Sequence, residues 1–248
     1  MQQKICCQRW ANIQEGKVMD KLVLFDIDKT LIVGSRFHYN ALKKALTQVY
    51  GVENPKSLTN MQGMTDLKII CTTLQRENIP VTTIKFGLEE CMTAMYENFK
   101  DALKISDLKV LKGVKPLLRE MQENEIPMGL VTGNMEAIAW LKLDEVDLKQ
   151  YFLFGGFGDR VLNRSGLVEK ALEVSTKLLG PFDRKNVYLV GDTPRDIWGG
   201  RKADVNTLGV ATGDFTEYEL LDSGADYVLK DLTEKDKIFS IILNGKHD

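Results

Sequence analysis

The chain has 248 residues, of which 44% are hydrophobic and 27% are charged, values that are typical of a soluble globular protein. Its 33 basic and 35 acidic residues give a net charge of -2, which leaves no electrostatic basis for binding nucleic acid or an anionic membrane. No apolar run approaches the ~20 residues that span a bilayer. The four cysteines have the spacing of neither a metal site nor a disulfide framework, so we expect a reducing, cytoplasmic setting.

The first 18 residues differ from the rest of the chain. They carry scattered charges and lack the apolar core of a signal peptide, so we treat residues 1–18 as an N-terminal extension. Residues 19–21, which begin with Met19, lead directly into the first predicted strand. One hypothesis is therefore that Met19 is the natural start; the alternative is an N-terminal arm that packs on the surface.

The first strand is followed by two acids. Residues 22–25 form a short apolar run rich in leucine and valine, which predicts a strand buried on both faces of a parallel sheet. Asp26 and Asp28 follow it, and side chains two residues apart on a strand point the same way. The two carboxylates should therefore project together at the carboxyl edge of the sheet, where open α/β sheets bind ligands.

A helical segment follows before the next strand. Apolar spacing predicts helices over residues 36–51, from Leu67 onward after a cap at Thr65, and over residues 81–104. Gly87 weakens the third helix, which could be two pieces. No convincing strand lies between Val33 and Lys109, so residues 35–108 are predicted to be an inserted α-helical cap domain, whose methionines and aromatic residues form its core.

Strands and helices alternate through the remaining residues. Short apolar strands are predicted at residues 127–132, 152–154, 187–192, 206–210 and 225–229, and helices at 114–124, from Gly133, at 167–179, from Thr193 and at 232–243. Such alternation predicts a parallel sheet with right-handed crossovers. The fold class is thus α/β, a Rossmann-like parallel sheet with helices on both faces, formed by residues 19–34 and 109–248.

Three of the predicted strands end in polar groups that would meet at one sheet edge. They are the pair Asp26 and Asp28, then Thr132, then Asp192. Three carboxylates suit a hard, oxygen-seeking cation, and Mg²⁺ fits that set. Thr132 offers a hydroxyl and Gly133 an amide at a predicted helix N-terminus, which together predict an anion site. Asp196 has the position of a capping-box acid after Thr193 and could also orient Asp192.

Three sequence motifs resemble those of the haloacid dehalogenase superfamily, from about Met19 to the C-terminus. The segment 26–30 (DIDKT) is similar to its first motif, 130–134 (LVTGN) to its second and 191–196 (GDTPRD) to its fourth. The third motif is a lone cation, for which Arg164 is our choice and Lys170 the alternative. The helical insertion resembles the family's small α-helical cap, and residues 63–66 resemble a stretch of phosphoglycolate-phosphatase-like members.

The resemblance implies a Mg²⁺-dependent phosphatase for a small phosphorylated metabolite. Asp26 would be the nucleophile that forms an aspartyl phosphate, and Asp28 the general acid and base. Mg²⁺ would be held by Asp26, Asp192 and the main-chain carbonyl of Asp28. The substrate phosphate would be bound by residues of the second and third motifs: Thr132, Gly133, Asn134 and Arg164.

Three alternatives to a phosphatase stay open. A phosphomutase of the β-phosphoglucomutase type would use the same aspartyl phosphate, and His38 lies where such an enzyme could carry a base on its cap, although a lone helical histidine is more often a packing residue. A dehalogenase is disfavoured because Asp28 is present. A non-enzymatic phosphate-binding relative would be expected to lack Asp28 or Asp192. Phosphoglycolate, a nucleotide or a sugar phosphate all stay open as substrates, as does the oligomeric state.

Lys29 departs from the family pattern, which most often has glycine at this place. A lysine could strain a turn that needs a positive φ, or add positive charge near the phosphate. We expect instead that its side chain simply points to solvent.

Overall fold

The computed structural model describes residues 20–34, 36–56, 58–103 and 107–245. The predicted extension at residues 1–18 lies outside them. Six parallel strands form the central sheet and two short strands form a separate antiparallel ladder. In the sheet are β1 (Leu22–Phe25), β4 (Met128–Val131), β5 (Gly155–Gly156), β6 (Val187–Gly191), β7 (Asn206–Val210) and β8 (Tyr227–Leu229); the ladder is β2 (Ile32–Val33) with β3 (Lys109–Val110).

The strand order places β1 in the middle of the sheet, at β5–β4–β1–β6–β7–β8. Phe25 at the end of β1 pairs with Leu130 of β4 on one side and with Val190 of β6 on the other. The residues that directly follow these three strands are therefore neighbours at the carboxyl edge, as the alternating sequence pattern predicts.

Helices cover both faces of the sheet. Along β1, Val23 and Phe25 pack in one apolar cluster while Leu22 and Leu24 pack in a second, which explains why the strand is continuously apolar. The first cluster also contains side chains of the helices Val114–Glu123, Glu136–Glu145 and Lys235–Asn244. The second cluster contains side chains of the helix Arg164–Leu179. In chain order the core helices are α4 (Val114–Glu123), α5 (Glu136–Glu145), α6 (Arg164–Leu179), α7 (Pro194–Lys202), α8 (Glu217–Asp222) and α9 (Lys235–Asn244).

Three helices between β2 and β3 form the inserted cap: α1 (Arg36–Tyr50), α2 (Asp66–Arg76) and α3 (Val81–Leu103). Their apolar faces share a core in which Met95 and Phe99 are buried, as expected for the methionine and aromatic residues of this segment. The fold class is therefore the predicted one. The boundaries given above for the cap stay a prediction, since nothing in the structure divides the chain at those residue numbers.

The two chain connections to the cap lie side by side. Ile32 of β2 pairs with Val110 of β3, and the Leu111 amide donates to the Leu31 carbonyl at 2.9 Å. This ladder ties the segment that enters the cap to the segment that leaves it. Any movement of the cap relative to the sheet must therefore involve both strands together.

Two expectations about individual elements are wrong. The helix α3 runs unbroken through Gly87, because the Tyr50 ring lies against that position and its hydroxyl donates to the Ile84 carbonyl at 2.8 Å. A glycine makes room for the ring. The strand predicted at residues 152–154 lies later in the chain, at Gly155 and Gly156. Among the described residues, none of the helices combines the length and hydropathy needed to cross a bilayer.

Candidate active site

All seven residues that the sequence assigned to the site line one cavity of about 230 Å³ between the sheet edge and the cap. They are Asp26, Asp28, Thr132, Gly133, Asn134, Arg164 and Asp192. Six of them lie just beyond the carboxyl ends of the strands β1, β4 and β6, and the seventh, Arg164, lies on a helix. The shared cavity follows from the sheet topology, since these three strands are adjacent.

Arg164 is the cation that reaches the first aspartate. It is the first residue of α6, which begins three residues earlier than predicted because the Asn163 side chain accepts from the Gly166 amide and caps the helix. The buried Arg164 Nη2 lies 2.6 Å from Asp26 Oδ1. Lys170, the alternative cation, is exposed on the same helix and pairs with Glu173. The geometry therefore favours Arg164.

Asp196 holds Arg164 in place. Its Oδ1 accepts from Arg164 Nε at 2.5 Å, and Arg164 Nη2 also contacts this oxygen. Its Oδ2 accepts from the Thr193 amide at 3.1 Å and the Thr193 hydroxyl at 2.6 Å, so the capping box expected at the start of α7 is present. One side chain thus caps a helix and orients the guanidinium that contacts Asp26.

The buried carboxylates of Asp26, Asp192 and Asp196 have oxygens within 4.8 Å of one another. Both oxygens of Asp196 are engaged by Arg164 and Thr193, which leaves Asp26 and Asp192 as the available side-chain ligands. Oxygen donors of this kind suit Mg²⁺, which also keeps several waters. The residues present therefore fit the predicted cation.

The electrostatics of this cluster also favour a cation. Burial, followed by the charges of Asp26 and Asp196, raises the pKa of Asp192 to about 9. Burial likewise raises the pKa of Asp26 to about 7, although the Arg164 guanidinium opposes the rise. Such shifts mean that the protein alone does not neutralise these carboxylates. A divalent cation between them would stabilise their ionised forms.

Asp28 is in a different environment from Asp26. Burial would raise the pKa of Asp28, but the charge of Lys142, with hydrogen bonds from Lys142 and Asn134, lowers it to about 2. Asn134 Nδ2 donates to Asp28 Oδ2 at 2.7 Å and to Thr132 Oγ1 at 2.5 Å. The amide of Asn134 is therefore used within the protein. It orients Asp28 and Thr132, whereas the sequence had placed it among the substrate-binding residues.

Three residues of the site escaped the sequence analysis in whole or in part. Lys142 on α5 is fully buried, and its Nζ lies 2.8 Å from each oxygen of Asp28. His38 on α1 contacts Lys142 through Nδ1 at 3.1 Å and Asp66 of α2 through Nε2 at 3.0 Å. His38 is a packing residue against Phe99, as expected, but it also belongs to this polar cluster.

Gly133 brings the cap onto the sheet edge. A Cβ atom at this position would lie 2.1 Å from the Met64 carbonyl oxygen, so only glycine allows the approach. The Asp66 amide at the start of α2 donates to the Gly133 carbonyl at 2.8 Å. The second motif therefore contacts the cap directly, and the structure has the cap closed over the cavity.

The expectation that Lys29 simply points to solvent is wrong. Its φ is 64°, the left-handed conformation that favours glycine, and its Nζ pairs with Asp214 at 2.6 Å. The same Asp214 oxygen accepts from Gln62 of the cap at 3.3 Å. Lys29 thus contributes to a polar bridge at the rim of the cavity, on the side where the cap meets the core.

Replacing Lys29 with glycine should leave stability nearly unchanged. Relief of the left-handed conformation gains about 1 kcal/mol, and loss of an exposed ion pair costs about as much. We expect phosphatase kcat/KM to change less than tenfold, ~1.4 kcal/mol. Thermal unfolding and steady-state kinetics of Lys29→Gly, with Asp214→Asn as the matched variant, check this; a larger loss of kcat/KM in Lys29→Gly alone would place its ammonium at the substrate.

Comparison with known proteins agrees with this geometry. The chain matches the family of haloacid dehalogenase-like hydrolases over residues 23–210, which includes the cap and all seven cavity residues named above. The protein belongs to that family of hydrolases.

Several relatives share most of the chain. One, from Caldanaerobacter subterraneus subsp. tengcongensis, carries the name "Putative pyrophosphatase PpaX" and is 27% identical over 232 residues, 91% of this chain and 97% of its own. The structure of CbbY from Rhodobacter sphaeroides in complex with phosphate matches with a TM-score of 0.68, at 16% identity over 87% of this chain and 96% of that one. β-Phosphoglucomutase from Clostridium difficile matches with a TM-score of 0.66 and 18% identity over 92% and 98%. At these identities the two structures establish the fold alone.

Proposed function

We propose that the protein is a Mg²⁺-dependent phosphatase that hydrolyses a small phosphomonoester through an aspartyl phosphate on Asp26. The observation that carries the proposal is the placement of Asp26 and Asp28 in one cavity, with Arg164 2.6 Å from Asp26 and Lys142 2.8 Å from Asp28. Two carboxylates with different cationic partners are suited to two different roles.

Asp26 is the nucleophile. Arg164 holds its Oδ1, and the other carboxylate oxygen attacks phosphorus while the bond from phosphorus to the leaving oxygen breaks. Water then attacks the same phosphorus, releases inorganic phosphate and restores Asp26. Attack by a carboxylate on an anionic ester is opposed by charge repulsion, which the guanidinium reduces.

The phosphate oxygens are held by Thr132, Gly133 and Arg164. Thr132 Oγ1 accepts from Asn134, so its own proton is available for a phosphate oxygen. Arg164 Nη1 is buried and has no hydrogen-bond partner among the described residues. A buried guanidinium donor without a partner, on a residue that lines the cavity, supports binding of an anion there.

Asp28 handles the proton transfers. It passes a proton to the leaving alkoxide in the first half-reaction and takes one from the attacking water in the second. Lys142 holds Asp28 ionised, which is the state needed for the second half. The proton for the first half enters with the substrate, since a phosphomonoester monoanion carries one.

Asp26, Asp192 and the main-chain carbonyl of Asp28 would hold Mg²⁺. When bound, the cation offsets the repulsion between the carboxylates and the phosphate and polarises a phosphate oxygen. Gly213 keeps room for this arrangement, because a Cβ atom there would lie 1.8 Å from Asp192 Oδ2. The side chain of Asp28 accepts hydrogen bonds from Lys142 and Asn134, so only its main-chain carbonyl is assigned to the metal.

Removal of the metal should abolish turnover. We expect a chelator to lower phosphate release from a panel of phosphorylated metabolites by more than about 100-fold, since the metal contributes several kcal/mol to stabilising the transition state. Added Mg²⁺ should restore it. Undiminished turnover in excess chelator, by protein that elemental analysis shows to be free of divalent metal, would contradict the metal assignment.

The products decide between the phosphatase and its alternatives. Glucose 1-phosphate should give free phosphate, or no reaction, and no glucose 6-phosphate. A mutase is not specifically favoured, because both ring nitrogens of His38 are engaged by Lys142 and Asp66. Pyrophosphate should also be tested as a substrate, because one relative carries the name of a pyrophosphatase. Mg²⁺-dependent binding of phosphate with no turnover of any ester would favour the non-enzymatic alternative.

A further inference from the structure

Lys142 is the buried charge that pairs with Asp28, and another of its contacts reaches the cap. Its side chain is fully buried on α5, and burying an ammonium is costly unless it is paired and hydrogen-bonded. Its Nζ has four neighbours within 3.1 Å: both oxygens of Asp28, Asn134 Oδ1 at 2.7 Å and His38 Nδ1. The three protons of the ammonium satisfy all four contacts if one proton is shared between the two Asp28 oxygens, so every donor of Lys142 has an acceptor.

The direction of the bonds follows from the ammonium. Because Lys142 can only donate, Nδ1 of His38 accepts and the ring proton lies on Nε2. That proton is donated to Asp66 Oδ2, which also accepts from the Met135 amide at 2.7 Å. The chain Asp66–His38–Lys142–Asp28 therefore begins on the cap and ends at the proposed proton-transfer group of the core.

The same contacts leave one position open on Asp28. Its Oδ2 accepts from Lys142 and from Asn134, whereas its Oδ1 accepts from Lys142 only. A carboxylate oxygen has two lone-pair sites, so the remaining site is on Oδ1. The Asp28 side chain is 28% exposed and lines the cavity, so a water in the cavity can reach this carboxylate.

We propose that Lys142 is a positioning residue that directs Oδ1 of Asp28 toward the water of the second half-reaction, and that His38 and Asp66 complete its site when the cap is closed. This inference rests on the function proposed above. Phe99 of α3 adds a further cap contact, since its ring centre lies 5.9 Å from the ammonium. Closure of the cap thereby completes the arrangement that hydrolyses the aspartyl phosphate.

The role can be isolated with p-nitrophenyl phosphate, whose phenolate leaves without a proton. Transfer to Asp26 then needs no acid, while hydrolysis of the aspartyl phosphate still needs Asp28. In rapid mixing with Mg²⁺, Lys142→Met should release the first equivalent of nitrophenolate at the rate of the unaltered protein. The steady-state rate should fall about 10- to 100-fold, and KM should fall in parallel, so that kcat/KM is unchanged.

Three further proteins give the test its controls. Lys177→Met removes an exposed lysine of α6 and should leave both phases unchanged. His38→Leu should lower the steady-state rate more than the first phase, while His38→Asn, which keeps an acceptor for Lys142, should lose less. If Lys142→Met does not fold, the comparison of His38→Leu with His38→Asn provides the test instead.

The outcomes separate this inference from the proposed function. If the unaltered protein turns over no ester, or if Asp26→Asn turns over as fast, the proposed function is wrong. If the unaltered protein is active and both phases fall together in the Lys142 and His38 variants, or neither phase falls, then Lys142 does not position Asp28 for the second half-reaction.

Discussion

Replacing Asp26 with asparagine should abolish turnover of every phosphate ester that the unaltered protein hydrolyses. The substitution keeps the shape of the side chain but removes the carboxylate that attacks phosphorus, so we expect kcat to fall by at least about 10⁴-fold. Steady-state phosphate release with saturating Mg²⁺ measures this loss. The amide can still accept a hydrogen bond from Arg164, so the local geometry should survive.

Folding of the Asp26→Asn protein should be retained. The carboxylate is buried beside two others, and burial raises its pKa, so the loss of its charge removes an electrostatic cost as well as an ion pair. Circular dichroism and thermal unfolding should match the unaltered protein within a few degrees. Asp222→Asn, at an exposed position on α8, is the matched control and should retain full activity. Activity retained in Asp26→Asn would remove the nucleophile from the mechanism.

Replacing Arg164 with methionine should lower both activity and stability. The guanidinium contacts Asp26 and Asp196, and its free Nη1 is assigned to the phosphate, so we expect kcat/KM to fall about 10²- to 10³-fold. Asp196 would be left buried without its cation, which costs about 3 to 5 kcal/mol in the free energy of unfolding. For a chain of this size, that corresponds to a fall in Tm of roughly 10 °C.

Arg164→Lys separates the two effects. It keeps a positive charge for the buried acids but loses the planar fork that serves Asp196 and the phosphate together. Relative to Arg164→Met, the Arg164→Lys protein should therefore regain more of its Tm than of its kcat/KM. Lys170→Met, which removes the exposed lysine that competed for the same role, should change neither quantity. Equal losses in the Lys170 and Arg164 variants would show that the assignment of the cation is wrong.

The sheet and its polar edge could be predicted because each depends on local sequence. A short strand buried on both faces must be apolar throughout, and an acid directly after it stands out, as at Asp26 and Asp192. The parallel alternation then places neighbouring strand ends together. The start of α6 at Arg164 could also have been found, since Asn163 is a favoured capping residue.

The polar cluster around Asp28 could not be found in the same way, because its members are far apart in the sequence. His38, Asp66 and Lys142 lie on three different helices, and each alone resembles an ordinary helical residue. One signal was present for Lys142. It falls three and four residues after Ala139 and Ile138, on the buried face of α5, where a charge needs a partner.

The positive φ of Lys29 was one of the alternatives that the family's usual glycine suggested, but the ion pair of its side chain was beyond prediction. A positive φ at a non-glycine residue depends on the turn into which the chain is forced, here one in which the Lys29 amide donates to the Ile32 carbonyl at 2.7 Å. The partner of its side chain, Asp214, is 185 residues away. Sequence spacing contains no information about such a contact.

The central claim is that phosphoryl transfer passes through Asp26, and acid quenching during the first turnover tests it most directly. The protein is mixed with Mg²⁺ and an ester that it hydrolyses, quenched within the first turnover, digested and examined by mass spectrometry. A phosphoryl group on the Asp26 carboxylate, absent after the substrate is exhausted, is the predicted result. Normal turnover with no phosphorylated peptide at any quench time, or with the group on a different residue, would contradict the account.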